Sequence, residues 1–189
     1  MAKINSRQKG SKNERDVCKW WQSWTGYEFA RVPSSGGLRW GRTTDTTGDI
    51  ICSDKKHFLR FPFSIECKSY KDINFEHILL GNKKIKILEF WDQAIADAER
   101  GSKLPILMMR YNGMKKGEYF FVVEADQAGI ILSTIPIKSR ALLNTMDINA
   151  NGLRLTILMA SDILQYSNYP EVNMSSRKRL KTQSHGKRK

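Results

Sequence analysis

Val17, Trp20, Trp21 and Trp24 recur at i, i+3, i+4 and i+7, a spacing that puts four large apolar side chains on one stripe of a helix. The stripe predicts a helix over 11–25, closed by Gly26. Residues 1–10 before it are polar and basic and read as loose chain. The pattern then changes. Tyr27 to Val32, Asp49 to Cys52 and Phe58 to Lys68 read as strands, the last two joined by the polar turn Ser53 to His57. A second helical stripe of Ile87, Phe90, Trp91, Ala94, Ile95 and Ala98 predicts a helix over 86–100, stopped by Gly101. Leu104 to Tyr111 and Glu118 to Glu124 read as strands around an Asn112-Gly113 turn signal. Ile130 to Ile137 and Leu153 to Met159 read as further strands, and Ala160 to Tyr166 as a short helix. No internal repeat is present. The order helix, three strands, helix, two strands constrains the chain to an α/β domain built on a mixed central sheet flanked by helices.

A chain of 189 residues suits one core with extensions, and 40% hydrophobic residues are enough to fill it. Pro170 marks the expected end of the folded body, giving a domain over 1–170 and a tail over 171–189. From residue 174 onward the tail carries Arg177, Lys178, Arg179, Lys181, Lys187, Arg188 and Lys189 and no acid, which reads as disordered chain or as a nonspecific clamp on a polyanion. No apolar run is long enough to cross a bilayer, and the basic N-terminus lacks the apolar stretch of a secretory signal. Cys18, Cys52 and Cys67 are too few and too scattered for a disulfide framework or zinc knuckle, which points to a reducing, cytoplasmic setting. Cys52 and Cys67 read as small core groups, and His57 and His77 as turn or surface residues. Lys and Arg outnumber Asp and Glu by 32 to 19, a formal net charge of +13, so the expected partner is a polyanion. Without a long basic amphipathic helix, a membrane surface is the weaker choice and nucleic acid the stronger.

The sharpest local signal is Phe63-Ser64-Ile65-Glu66-Cys67-Lys68. Alternate residues of a strand share a face, so Glu66 and Lys68 point one way while Ile65 and Cys67 point to the core. An acid and a base on a half-buried strand are paired, solvated or used. Asp49 begins the preceding strand, and one turn brings it beside Glu66. Two adjacent carboxylates repel unless a cation lies between them, and oxygen ligands suit Mg²⁺ or Mn²⁺. Glu14 falls near Val17, Trp21 and Trp24 on the first helix, and two readings stand for it. It is either a third member of the acid set or the end of a capping box, Ser11-Lys12-Asn13-Glu14, bonded back to Ser11.

These segments occur in a recognisable order: Lys9-Gly10-Ser11-x-x-Glu14-Arg15, Arg31-x-x-Ser34-Ser35-Gly36, Gly48-Asp49-Ile50 and Ile65-Glu66-Cys67-Lys68. The set, spanning about residue 7 to about 111, resembles the archaeal-type Holliday junction resolvases of the PD-(D/E)xK nuclease superfamily. The resemblance implies a restriction-endonuclease-like core and a metal-dependent endonuclease that hydrolyses phosphodiesters in four-way DNA junctions. It implies Mg²⁺ (Mn²⁺ substituting) on Glu14, Asp49 and Glu66, with Lys68 as catalytic lysine and Ser34 or Ser35 assisting at the scissile phosphate. Arg15 and Arg31 match positions facing DNA. Gln93 lies in the second helix where related nucleases often carry glutamine, although a surface role fits it nearly as well. Symmetrical cutting of a junction needs two active sites, hence a homodimer. Such a small resolvase suits an archaeon or a virus, the latter placing it in the host cytoplasm.

The chain departs from the pattern in two places. Its loop from Ser35 to Asp49 is extended by Arg39, Trp40, Arg42 and four threonines. Arg39 and Arg42 read as phosphate contacts and Trp40 as a base-stacking group, with a plain solvated loop as the alternative. The chain also continues well beyond the compact core, and residues 125–170 either extend the sheet or form a dimer interface. Two rivals follow: a restriction-like, nicking or repair endonuclease on duplex or flap DNA, and a DNA-binding module without catalysis.

Overall fold

A computed structural model describes residues 6–32, 46–75, 77, 80, 85–150 and 152–169. Ser34, Ser35, Arg39, Trp40, Arg42 and the basic tail lie outside the described residues. The elements are α1 (Ser6–Thr25), β1 (Phe29–Arg31), β2 (Ile50–Cys52), β3 (Phe63–Tyr70), α2 (Lys86–Arg100), β4 (Leu104–Tyr111), β5 (Phe120–Glu124), α3 (Ala125–Ser133), α4 (Ile137–Arg140), β6 (Thr145–Ala150), β7 (Leu153–Met159) and α5 (Ala160–Tyr166). The seven strands form one sheet in the order β1-β2-β3-β4-β5-β7-β6. Among the described residues only the strands β3 and β4 pair in parallel, and α2 lies between them in the chain. This is a restriction-endonuclease-like α/β fold, a mixed sheet with helices on both faces, as expected.

Strand parity divides the core in two. Ile65 and Cys67 of β3, with Ile106 and Met108 of β4, face the tryptophan stripe of α1. Trp21 is fully buried and rings of Trp20, Trp24, Phe29, Phe61, Phe63 and Phe121 surround it. Truncating such a residue costs about 3–5 kcal/mol. Leu107, Met109 and Val122 face the other way and pack under Ile87, Trp91 and Ala94 of α2. Glu66 and Lys68 therefore stand on the α2 face of the sheet. Cys52 and Cys67 are buried in the α1 layer, as expected for small core groups.

Residues 125–150 and 152–169 extend the sheet. β7 pairs with β5, and β6 forms the edge. This extension also locks α1, because Trp20 Nε1 donates to Ala160 O (3.1 Å) and Trp24 Nε1 to Ser167 Oγ (3.0 Å).

Three expectations need correction, and one strand goes beyond them. α1 starts at Ser6, so residues 6–10 are helix rather than loose chain. Ile130 to Ile137 is no strand. Ala125–Ser133 is helical, with Ala128 and Ile131 buried three residues apart and Asp126 in the first turn. The isoleucine pair imitates a strand, but its burial follows the helical period. β3 begins at Phe63 rather than Phe58, because 55–60 is a turn that leaves Leu59 exposed. β6 was not foreseen, since only Ile148 of its six residues is buried and no alternating signal results.

Candidate active site

The candidate residues meet at the carboxyl end of β3. β2 runs antiparallel to β3 with Ile50 opposite Ile65, which puts Asp49 beside the strand. Gly48 makes this approach possible. Its φ is +81°, and a Cβ there would lie 2.5 Å from Ile65 O. Only glycine accepts both the left-handed backbone and the contact. Asp49 is then pinned from two sides: its N–H donates to Ile65 O (2.8 Å), and its Oδ2 accepts from Cys67 N–H (2.8 Å). The residues it grips are the two neighbours of Glu66, which fixes the carboxylates beside one another.

Strand parity is borne out at the next step. Glu66 and Lys68 share a face, and Lys68 Nζ lies 2.6 Å from Glu66 Oε1. Only 6% of Glu66 is exposed. Lys68 Nζ also sits 5.7 Å from the ring centroid of Phe90 on α2.

Burial and mutual repulsion dominate the electrostatics. Burial, then the charge of Glu66, raises the Asp49 carboxyl from 3.8 to about 7, against the opposing Cys67 N–H bond. Burial also raises Glu66, opposed by its bond to Lys68, while the charges of Asp97 and Glu14 add to the rise. Both acids are therefore held where ionisation is costly, and a cation would relieve it.

Glu14 is within electrostatic reach of both acids. The capping-box reading of it fails, because Ser11 lies inside α1 rather than at its start. Its carboxylate instead pairs with Arg31 Nε at 2.5 Å, a partner on the adjacent β1. Arg31 is thus turned onto an acid, whereas Arg15 is exposed on α1. Gln93 is exposed on α2, one turn from Phe90 and one turn from Asp97. Asp97 is a site neighbour that sequence reasoning missed. It pairs with Arg100 at 2.5 Å, and its approach to Glu66 is made between α2 and β3, where no spacing within one element signals it. Among the described residues, no three His, Cys, Asp or Glu side chains are grouped to hold a metal ion.

A helix-flanked mixed sheet with Asp49 just before one strand and Glu66-x-Lys68 on the next is the arrangement of PD-(D/E)xK nucleases. The chain belongs to the family described as "Phage putative PDDEXK endonuclease", whose family model matches residues 5–163. Membership makes it a nuclease, of a superfamily that typically uses divalent metals. The chain is also similar to Protein D14 of Escherichia phage T5, with 26% identity over 145 residues, 76% of this chain and 85% of that protein. No solved structure matches it. Among the described residues, no helix is long and apolar enough to cross a membrane.

Proposed function

We propose that the protein is a metal-dependent DNA endonuclease that cuts four-way junctions, with Asp49, Glu66 and Lys68 as its catalytic centre. The observation that carries this reading is Asp49 hydrogen-bonded to both neighbours of Glu66, with Lys68 2.6 Å from Glu66.

The donor set fits a hard divalent cation. Mg²⁺ is commonly held by one or two carboxylates, with water and substrate phosphate completing its shell. Asp49 and Glu66 would supply two, and the Asp49 carboxyl is raised first by burial and then by the charge of Glu66 beside it. Bound there, Mg²⁺ or Mn²⁺ supplies Lewis acidity toward the phosphate and lowers the pKa of water. Glu14, engaged by Arg31, would add negative potential beside the ion and would reach it through water.

The chain's own groups do the positioning. Lys68 orients the attacking water and donates to the charge that builds on the phosphate oxygens. The Phe90 ring beneath Lys68 Nζ restricts where that ammonium can go. Water adds to phosphorus, the bond to the leaving oxygen breaks, and that oxygen takes up a proton. Ser34 or Ser35 assists at the scissile phosphate. Arg15, Arg39, Arg42 and Gln93 contact DNA, while Arg31 holds Glu14 beside the site. The junction substrate and a two-fold homodimer rest on the ordered motif resemblance, and the phage relative supports action in the host cytoplasm.

The test is cleavage of four-way junction, flap and linear duplex DNA of matched sequence, with Mg²⁺ and with EDTA. The expected result is Mg²⁺-dependent cleavage fastest on the junction. Equal rates on all three substrates would reject the junction reading in favour of a general endonuclease. Absence of cleavage on all three would favour a DNA-binding module.

A further inference from the structure

Parallel pairing of β3 and β4 sets Lys68 opposite Met109, Ser69 opposite Arg110 and Tyr70 opposite Tyr111. The loop joining β4 to β5 therefore leaves the sheet at the same end as the catalytic centre. Its tip is Asn112-Gly113-Met114-Lys115-Lys116-Gly117, and both lysines are exposed.

Two contacts tie other lysines to this loop. Lys9 Nζ on α1 donates to Asn112 Oδ1, and Asn112 N–H donates to Lys71 O (3.4 Å). The Lys9 ammonium and the Lys71 backbone thus meet the loop at Asn112, and Lys115 and Lys116 follow in the same loop. All four are exposed, and among the described residues none forms an ion pair with an acid. The nearest acid in the loop's sequence, Glu118, is half-exposed and accepts from Tyr119 N–H and Ser161 N–H, and the exposed Asp72 follows Lys71.

Such a cluster raises the cost of its own folding unless a polyanion occupies it. The spacing suits DNA. Lys71 lies three residues beyond Lys68, on the order of 10 Å along an extended chain, a length over which a duplex strand presents about three phosphates along the helix axis.

We propose that the β4–β5 hairpin, with Lys9 and Lys71, is a duplex-DNA backbone clamp that holds one arm of the substrate beside the cleavage site. The inference rests on the nuclease reading above, but it assigns a binding surface separate from the catalytic carboxylates. Lys115 and Lys116 follow successive phosphates without reading sequence, so they set affinity and salt dependence rather than the chemical step.

The test compares Lys115→Ala/Lys116→Ala with Lys55→Ala/Lys56→Ala. The control removes the same charge from exposed lysines in the turn at the opposite end of β3. Binding to a duplex is measured in EDTA across a salt series, and cleavage is measured in Mg²⁺. The hairpin variant should lower the slope of log affinity against log salt by about 2, one for each phosphate that a lysine no longer neutralises. It should weaken binding on the order of tenfold or more at low salt, raise KM and leave kcat near the wild-type value. The control variant should move none of these appreciably. Equal effects in both variants, or no change of slope in the hairpin variant, would overturn the clamp. Asp49→Asn run alongside separates the two readings. If it abolishes cleavage while the hairpin slope is unchanged, the clamp alone is wrong. If it cleaves normally, the catalytic assignment is wrong whatever the hairpin does.

Discussion

Replacing Asp49 by Asn in the metal-free protein should stabilise it at neutral and alkaline pH. The folded protein raises this carboxyl from 3.8 to about 7, through burial and the charge of Glu66. In the unfolded chain the group ionises near its ordinary value. Below pH 4 both states hold the proton and the site contributes nothing. Between about 4 and 7 the unfolded state has lost the proton while the folded state keeps it, so stability falls as pH rises through that window. Above 7 the penalty is constant. Taken alone the shift corresponds to about 4 kcal/mol. Because Glu66 shares the repulsion, and an amide accepts more weakly from Cys67 N–H, about 2–4 kcal/mol is the expected gain. For a chain of this size that raises Tm by on the order of 10 °C. The assay is thermal melting of wild type and Asp49→Asn in EDTA from pH 4 to 8.5. The gap should be near zero at pH 4, widen to pH 7 and then level off. Mg²⁺ should raise the wild-type Tm at pH 8 and leave the variant nearly unmoved. Equal melting temperatures at every pH, or a gap that widens toward acid, would refute the account of two carboxylates held against their repulsion.

Further outcomes follow from single contacts. Gly48→Ala places a Cβ 2.5 Å from Ile65 O at a positive φ, so it should cost about 1–3 kcal/mol in urea unfolding and reduce cleavage by displacing Asp49. Arg31→Met leaves Glu14 without its partner and should destabilise by about 1–3 kcal/mol. Adding Glu14→Gln to it should recover part of the loss, and a double-mutant cycle that closes additively would refute the pairing. Phe90→Leu removes the ring beside Lys68 Nζ and should lower kcat by about 2- to 5-fold with little change in KM. An effect on KM alone would point to a role in binding.

What the sequence made legible was whatever repeated within one element. The helix over 86–100, the strands over 104–111 and 153–159 and the helix over 160–166 have the expected limits. The helix over 86–100 keeps one apolar stripe, and the two strands are short apolar runs bounded by polar residues or turns. Ile130 to Ile137 misled because β-branched residues dominate it, while burial of Ala128 and Ile131 obeys the helical period. The first turn of α1 was missed because residues 6–10 offer no apolar stripe. At the site, alternation along β3 was enough to join Glu66 to Lys68 and turn Cys67 inward. The Arg31 partner of Glu14 and the approach of Phe90 and Asp97 were not legible. They are made between elements far apart in the chain, where no local spacing records them.

The most direct test of the central claim is cleavage and binding of one labelled four-way junction by wild type and Asp49→Asn, with Mg²⁺ for cleavage and Ca²⁺ for binding. Loss of cleavage by at least about 100-fold, with junction affinity close to wild type, is the expected result. Cleavage by Asp49→Asn at the wild-type rate would contradict the assignment of Asp49, Glu66 and Lys68 as the centre that hydrolyses DNA.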